Sequence, residues 1–294
     1  MKSVSIVVIT YNEEKNISGC LSSLLKVDYP KNKYEILVID ASTDKTFDIA
    51  SKFKNVKVIK SKEKGFAVQR NLGIKLSKNE LVAFTDADCI VPKDWLKVLV
   101  SSIESNKVSG VGGNAYPPKD SSHIGLCIAC LGFPAGGALG LSDNDPISTC
   151  NAIFSKKVID SIGGFDASLR YGGEDTDITR RLRANGHKVI IEKDSFVYHK
   201  TRDFHEFLSW CFRRGKAKFN ISKSPLQLLM PLAIFAYPFS SKFRKLLSKR
   251  KVINIDLFSI FFVVPVLFFL RQLYMTAGWI YEFIRSFGWK EKHS

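Results

Sequence analysis

The sequence predicts an α/β fold in which a mostly parallel sheet carries helices on both faces. Apolar, β-branched runs of strand length alternate with segments of helical periodicity, and their order as far as residue 85 is β-α-β-α-β-α-β. The chain has 294 residues, 45% of them hydrophobic and 24% charged, which is enough to bury a large core. A basic, apolar helical segment of different composition is expected after it, at the C-terminus.

The four strands of this pattern are short apolar runs that each lead into polar residues. They are predicted at residues 4–10, 34–40, 56–59 and 81–85. The intervening segments, 14–26, 45–53 and 65–77, have the spacing and composition of helices. Beyond them, the sequence predicts helices at 94–105 and 174–185, and strands at 149–155, 189–192 and 195–198.

Acidic side chains follow the ends of several of these strands. Asp86 and Asp88 stand at i, i+2, so an extended chain places them on the same side. Two carboxylates so close repel each other unless a cation or a donor-rich ligand lies between them, and a metal with a phosphate-bearing ligand would meet that need. Glu13, Asp40 and Asp44 follow the first two strands, at the sheet edge where ligands bind. The alternative is a set of solvated turn acids.

The formal net charge is +16, which favours anionic partners. No regular basic–aromatic pattern of a nucleic-acid groove is present, and no nucleic-acid partner is expected. After residue 203 the chain reads as a basic amphipathic helix (204–220), an apolar Pro-containing run (225–239), a basic stretch (240–251) and an apolar run (252–270). These features predict a membrane contact, as a span or as interfacial helices. A hydrophobic subdomain or dimer interface of a soluble protein is the alternative.

Six cysteines are present, and Cys127 and Cys130 form a CxxC. This pair lies in an apolar run without a second pair or nearby histidines, so we interpret it as small apolar filler rather than a zinc or redox site. Residues 1–6 enter the first strand without a signal-peptide pattern. We therefore expect the first domain in the cytoplasm with reduced thiols.

Five motifs, taken together, resemble the family 2 glycosyltransferases over residues 3–220. They are Ile-Val-Val-Ile-Thr-Tyr-Asn-Glu at 6–13, Val-Ile-Asp-Ala-Ser-Thr-Asp at 38–44, Arg-Asn-Leu-Gly at 70–73, Thr-Asp-Ala-Asp at 85–88 and Gly-Gly-Glu-Asp at 172–175. The resemblance implies the GT-A fold, with a Rossmann-like nucleotide-binding half and an acceptor-binding half. It also implies transfer from a nucleotide-activated sugar with inversion at the anomeric carbon.

The resemblance implies a role for each matching residue on the donor side. Thr10, Tyr11 and Glu13 match positions around the base and ribose, and Asp40 and Asp44 match the pocket of the base. For these two acids, a helix cap is the alternative.

Other matches lie around the diphosphate and the reacting groups. Arg70 matches the basic residue near the diphosphate, and Asp86 and Asp88 match the DxD motif, with Asp88 as the expected ligand of Mg²⁺ or Mn²⁺. Asp175 matches the catalytic base, with Glu174 beside it. His199 corresponds to a further metal or phosphate contact in some relatives, and Asn151 to a residue bordering the sugar. A structural role remains the alternative for His199.

The expected organisation is a GT-A domain at 1–220, with halves at about 1–110 and 111–220, and a membrane-associated segment at 221–294. The stretch 179–183 lacks the Gln-x-x-Arg-Trp motif of processive synthases, which favours addition of one sugar. We expect a UDP- or GDP-sugar donor, a lipid-linked or other glycan acceptor and contact with membrane lipids at the cytoplasmic face. A polyprenyl- or dolichyl-phosphate sugar synthase and a non-catalytic sugar-nucleotide-binding scaffold are the alternatives. An oligomer is possible.

Overall fold

The computed structural model describes residues 1–132, 139–142, 144–169, 172–221 and 223–288. The chain divides into two compact units. The first comprises Met1–Pro118 and Gly140–Lys200, and the second comprises Lys119–Leu139 and Thr201–Ser294. The helix near residues 204–220, which the sequence analysis places in the first domain, thus lies in the second unit.

The first unit is built on one eight-stranded sheet of order β3-β2-β1-β4-β7-β6-β8-β5. Its strands are β1 Val4–Thr10, β2 Tyr34–Asp40, β3 Val56–Lys60, β4 Leu81–Asp86, β5 Cys89–Ile90, β6 Gly110–Tyr116, β7 Asn151–Ser155 and β8 Val189–His199. Strands β1 to β4 pair in parallel, as predicted, whereas β7 runs antiparallel to β4 and to β6. The two strands predicted at 189–192 and 195–198 form the single strand β8, with a register shift opposite Gly112 and Asn114 of β6.

Six α-helices of the described residues agree to within a few positions with the helices predicted at 14–26, 45–53, 65–77, 94–105, 174–185 and 204–220, whereas the four at 123–129, 156–161, 241–253 and 264–288 match no helix predicted with those bounds. In chain order, these α-helices are α1 Ile17–Leu24, α2 Thr46–Ser51, α3 Phe66–Leu76, α4 Trp95–Ser105, α5 His123–Ala129, α6 Lys156–Ser161, α7 Glu174–Ala184, α8 Phe204–Ile221, α9 Ser241–Ile253 and α10 Val264–Gly288. Pro225–Phe239 is a 3₁₀ helix and Ser259–Val263 a π-helical turn that leads into α10.

The core of the first unit lies where α3, α6 and α7 cover the sheet. Phe84 of β4 meets Phe154 of β7 and Phe165 edge to face, with ring centroids 6.1 and 5.6 Å apart. Burial of each such ring stabilises the fold by about 1.5–3 kcal/mol. Gly73 lets α3 lie directly on β1, because a Cβ there would overlap the Val7 side chain. This close approach fixes the position of Arg70, one turn earlier on α3.

The second unit combines a buried apolar cluster with an exposed apolar surface. Helices α8 and α10 touch at Gly215 and Gly278, where a Cβ on either glycine would collide with a main-chain carbonyl of the other helix. The helix through Ser259–Ser286 is long and apolar enough to cross a membrane, and only 22% of its most apolar window is buried. All six cysteines are buried and free, which agrees with a filler role for Cys127 and Cys130.

Candidate active site

The turns that follow β1 and β2 are tied together at the carboxyl end of the sheet. Asn12 adopts a left-handed φ of 57°, and its Oδ1 accepts a hydrogen bond from Thr43 N at 2.9 Å. The next residue, Glu13, donates its main-chain N–H to Thr46 Oγ1 at 2.8 Å. Asparagine tolerates this conformation better than most residues, which explains its use in the turn.

Asp40 is fully buried beneath these turns. Its carboxylate accepts hydrogen bonds from Thr10 Oγ1 at 2.7 Å, Ser42 N at 3.2 Å and Lys60 Nζ at 3.0 Å. Burial alone would raise the pKa of Asp40, but these bonds outweigh it and lower the pKa. The carboxylate is therefore ionised and already occupied by protein donors, and its contact with a base stays a prediction.

Asp44 and Tyr11 differ in the groups they contact. Asp44 accepts hydrogen bonds from Thr46 N and Oγ1 and lies one residue before Lys45, the N-cap of α2, so its carboxylate is engaged at the start of that helix. Tyr11 is exposed, and the Lys64 ammonium lies 3.2 Å from its ring centroid. An aromatic face beside a cation can stack a planar ligand and contact its phosphates.

Arg70 joins two acidic residues, Asp86 and Glu174, from separate parts of the chain. It is 4% exposed; its Nη1 donates to Glu174 Oε1 at 2.8 Å and its Nη2 to Asp86 Oδ1 at 3.4 Å. The negative charges of Asp175, Glu174 and Asp86 raise the pKa of Arg70 despite its burial. The second oxygen of Glu174, Oε2, is buried without a partner among the described residues, so it can accept a hydrogen bond from a ligand.

Asp175 enters this network because two glycines precede its helix. Gly172 and Gly173 adopt φ of 100° and 102°, which favour glycine, and α7 starts directly after them. The Asp175 carboxylate accepts from Thr149 Oγ1 at 2.8 Å and from Ser148 Oγ at 3.3 Å. Burial and the neighbouring Glu174 charge raise its pKa to about 6, against the lowering effect of Arg70 and Thr149. Such a carboxyl group is well suited to act as a general base near neutral pH.

The DxD acids meet His199 through strand pairing. Cys89 of β5 lies opposite His199 of β8, so the imidazole Nε2 comes 3.7 Å from Asp86 Oδ2 and 3.5 Å from Asp88 Oδ1. Burial would lower the pKa of His199, but the Asp88 and Asp86 carboxylates raise it to about 9. The structure thus brings together the three residues predicted around the metal.

The charges at this point fit a divalent cation. Ligand atoms of Asp88, Cys89 and His199 lie within 4.8 Å of one another. Burial, and then the charges of Asp88 and Asp86, raise the pKa of Glu13 to about 7. The two carboxylates of Asp86 and Asp88 suit a hard cation such as Mg²⁺ or Mn²⁺. His199 can serve as a ligand after it loses its proton.

Asn151 is fully buried and its amide is engaged inside the fold. Its Oδ1 accepts from Trp95 Nε1 at 2.8 Å and Ser195 Oγ at 3.1 Å, and its Nδ2 donates to Asn114 O at 2.9 Å. The geometry gives the side chain a packing role between strands. We therefore do not carry its predicted sugar contact into the proposal below.

Sequence reasoning did not single out several groups that the structure adds to the site. Thr149 and Ser148 donate hydrogen bonds to Asp175, and the Cys89 sulfur lies within 4.8 Å of ligand atoms of Asp88 and His199. Cys89 directly follows the DxD acids in the sequence, so its position near them was predictable. Thr149 had no local signal, because its contact with Asp175 spans 26 positions.

Comparison with known proteins decides the family. The model of "Glycosyl transferase family 2" matches residues 5–162. The chain belongs to glycosyl transferase family 2. A curated relative of this glycosyltransferase, AglE of Haloferax volcanii, is 31% identical over 238 residues, which cover 74% of this chain and 73% of AglE.

A second relative has a more specific name. The dolichyl N-acetyl-alpha-D-glucosaminyl phosphate 3-beta-D-2,3-diacetamido-2,3-dideoxy-beta-D-glucuronosyltransferase of Methanococcus voltae is 34% identical over 236 residues, 74% of this glycosyltransferase and 73% of that protein. Among solved structures, mannosyltransferase PcManGT from Pyrobaculum calidifontis, in complex with GDP-Man and Mn²⁺, aligns with a TM-score of 0.63 at 20% identity over 92% of this chain and 86% of that one. This likeness shows the fold, and the predicted family and GT-A fold class are confirmed.

Proposed function

We propose that this glycosyltransferase transfers a single sugar, with inversion at the anomeric carbon, from a nucleotide sugar to a lipid-linked saccharide or other glycan acceptor. The reaction takes place at the cytoplasmic face of a membrane. One observation carries the proposal: the Asp175 carboxyl, with a pKa of about 6, lies in the same buried network as Arg70 and the DxD residue Asp86. A base and a diphosphate anchor are thereby held in one rigid arrangement.

The donor is a UDP- or GDP-sugar. PcManGT, which has the same fold, was solved with GDP-Man and Mn²⁺. In this chain, the exposed Tyr11 ring and the neighbouring Thr10, Glu13, Asp40 and Asp44 would form the side of the site that holds the base and ribose. Arg70 would contact the diphosphate.

A divalent cation completes the donor site. Asp88 and His199 would hold Mg²⁺ or Mn²⁺, with Asp86 beside them, because these residues form the oxygen-rich, negatively charged cluster described above. When bound, the cation neutralises charge that develops on the departing diphosphate. Arg70 would stabilise the same negative charge on the diphosphate, since it is buried and permanently cationic.

Asp175 performs the proton chemistry. Its carboxylate accepts the proton of the acceptor hydroxyl while that oxygen bonds to the anomeric carbon on the face opposite the nucleotide. The bond from that carbon to the diphosphate oxygen breaks, and the nucleoside diphosphate leaves with the bonding electron pair. Thr149 and Ser148 hold the carboxylate in place, and the unpartnered Oε2 of Glu174 is available to a substrate hydroxyl.

A relative and the second unit support the proposed acceptor class. The name of the Methanococcus voltae enzyme specifies a dolichyl-linked N-acetylglucosaminyl phosphate. In this chain the second unit combines basic helices with exposed apolar side chains, which suits a membrane surface that carries such an acceptor.

The test compares Asp175→Asn with Asp177→Asn, a matched change in the same helical turn, where Asp177 pairs with Arg180 and Arg181. We expect Asp175→Asn to lower transfer by about 10²–10⁴-fold, because general-base catalysis contributes that much, while nucleotide binding stays nearly intact. Asp177→Asn should retain transfer. Loss of both transfer and nucleotide binding in Asp175→Asn, or of neither, would contradict the role.

The assay uses two acceptors, a polyprenyl phosphate and a polyprenyl-linked saccharide. Transfer to the bare lipid phosphate alone would instead identify a lipid-phosphate sugar synthase. Absence of both donor hydrolysis and transfer with a panel of UDP- and GDP-sugars would support a non-catalytic scaffold.

A further inference from the structure

Three cationic residues belong to the paired helices α8 and α10 of the second unit. Arg214 and Lys218 stand one turn apart on α8, so they share a helix face. Arg271 belongs to α10, and the two helices are held in contact by Gly215 and Gly278. All three side chains are half-buried.

The contacts of these cations are with neutral groups. Arg271 Nη1 donates to the carbonyl oxygen of Leu131 at 3.3 Å, and its Nε is buried without a hydrogen-bond partner among the described residues. Lys218 Nζ is 4.0 Å from the thioether of Met230, and Arg214 lies 5.5 Å over the Trp210 ring. Burial and the charge of Arg271 lower the pKa of Lys218, which shows that the cations repel one another.

No carboxylate within the described ranges lies in salt-bridge distance of these three residues. The four acids within residues 201–288 are engaged elsewhere. Asp203 and Glu206 form hydrogen bonds with each other's main chain, Asp256 pairs with His123, and Glu282 pairs with Arg285. Residues 201–294 contain 16 Lys and Arg but only five Asp and Glu. Half-buried like charges without a counter-ion are unfavourable, so an anion from outside the chain would stabilise the cluster.

The surroundings indicate an amphiphilic anion. Arg271 lies within the apolar helix through Ser259–Ser286, and its neighbours Phe269 and Leu273 expose their side chains. An ionisable residue within so apolar a stretch marks a functional site with a specific partner. A guanidinium group favours phosphate because its planar donors match the phosphate oxygens.

We propose that Arg271, Arg214 and Lys218 bind the phosphate or diphosphate group of a membrane lipid. As a refinement that rests on the proposed function, this group is the phosphate through which the saccharide acceptor is attached to its lipid. The same chemistry is offered by an ordinary phospholipid headgroup, and the experiment distinguishes the two sources.

The experiment measures lipid binding to the full-length protein in neutral phosphatidylcholine nanodiscs that contain either undecaprenyl phosphate or phosphatidylglycerol. Arg271→Met should bind undecaprenyl phosphate at least about tenfold more weakly than the original chain, because it loses a charge-assisted contact. Arg271→Lys should restore part of the affinity. The control is Arg213→Gln, an exposed cationic position on α8, which should bind as the original chain does.

Each result bears on the proposal. Tighter binding of undecaprenyl phosphate than of phosphatidylglycerol supports an acceptor site, and equal Arg271-dependent binding of both supports a general lipid-phosphate site. Equal binding by Arg271→Met and the original chain overturns the proposal. In detergent without lipid phosphate, Arg271→Met should melt no lower than the original chain, since it removes an uncompensated charge. A clearly lower melting temperature would reveal a packing role and would also overturn the proposal.

Failure of this inference and failure of the proposed function remain distinguishable, because the binding assay contains no nucleotide sugar. Asp175→Asn should bind undecaprenyl phosphate normally although its sugar transfer is strongly reduced. Sugar transfer together with Arg271-independent lipid binding would refute only the lipid-phosphate site. Arg271-dependent binding without transfer to any acceptor would refute only the proposed function.

Discussion

Asp175 illustrates how the environment of a single side chain sets its chemistry. An isolated aspartate ionises near pH 4, whereas burial and the Glu174 charge raise the pKa of Asp175 to about 6. The buried guanidinium of Arg70 keeps this rise moderate. The result is a group that is ionised at neutral pH and still basic enough to accept a proton from a hydroxyl.

The pH dependence of transfer should reflect this balance. A base works only when ionised, so kcat/KM should fall as the pH drops below about 6. Thr149→Val removes a hydrogen bond to the charged form, which raises the pKa of Asp175 further. We therefore expect the acidic limb of the profile, the pH range in which kcat/KM falls, to move upward by about 0.5–1 pH unit. This size follows from a hydrogen bond of roughly 1 kcal/mol.

The control for this pH profile is Thr179→Val. Thr179 donates to the main-chain carbonyl of Asp175 rather than to its carboxylate, so the limb should keep its position. An unchanged limb in Thr149→Val would assign the limb to another group, such as Glu13 with its pKa of about 7.

The proposed metal role of Asp88 gives a second prediction. Asp88→Ala should weaken binding of a GDP- or UDP-sugar by at least about tenfold in Mn²⁺, since a ligand of the cation is lost. In a chelator, the variant and the original chain should bind the donor equally. Isothermal titration under both conditions measures this, and an equal loss in chelator would show that Asp88 acts without the cation.

The sequence was informative about single residues where strand ends and motifs fix their place. The motifs predicted that Asp86, Asp88, His199 and Asp175 lie near one another, and the structure places these residues close together. The sequence could not show that the Asn151 amide forms hydrogen bonds with Trp95, Ser195 and Asn114, because hydrogen bonds between distant positions leave no local pattern. Side-chain orientation is decided by packing, which sequence periodicity does not resolve.

Strands and helices were predictable for a related reason. The alternating β-α order of the first 86 residues predicts the parallel strands β1 to β4, because few other topologies are open to apolar strands that are joined by amphipathic helices. The single strand β8 was not predictable, since Glu192, Lys193 and Asp194 interrupt its apolar pattern. Likewise, α8 packs with α10 through two glycines far apart in sequence.

The start of α7 offers a prediction about the Gly-Gly turn. Gly173 has φ 102°, so Gly173→Ala should destabilise the protein by about 1–2 kcal/mol, measured by urea unfolding. It should also lower kcat/KM by at least about tenfold, because Asp175 is two residues away and small displacements of a catalytic group are costly.

Gly186, just after the other end of α7, is the matched control. Its φ is 77°, and a Cβ there would meet nothing within 4 Å. Gly186→Ala should therefore show a similar loss of stability with unchanged kcat/KM. A parallel loss of activity in both variants would mean that helix stability, rather than the placement of Asp175, limits transfer.

The two units divide the physical properties of the chain between them. The first contains the acidic groups around Asp86 and Asp175, and the second contains most of the basic excess and the exposed apolar side chains. In helix α9 six of 13 residues are Lys or Arg, and next to it the 3₁₀ helix exposes Phe235 by 76% and Phe239 by 81%. Such a pairing of cations and apolar side chains is typical of proteins that lie on anionic membranes.

Vesicle binding tests this interpretation for the full-length chain. We expect it to bind phosphatidylglycerol vesicles more strongly than phosphatidylcholine vesicles, and added salt should weaken the difference, because surface attraction is screened. Phe235→Ser with Phe239→Ser should weaken binding to both vesicle types, since the apolar contribution does not depend on lipid charge. Replacing Lys245 and Lys249 of α9 by Gln should instead reduce only the preference for anionic vesicles. The membrane role would be refuted if the chain stayed monomeric and soluble without detergent and bound neither vesicle type. That result would favour a hydrophobic subdomain of a soluble protein.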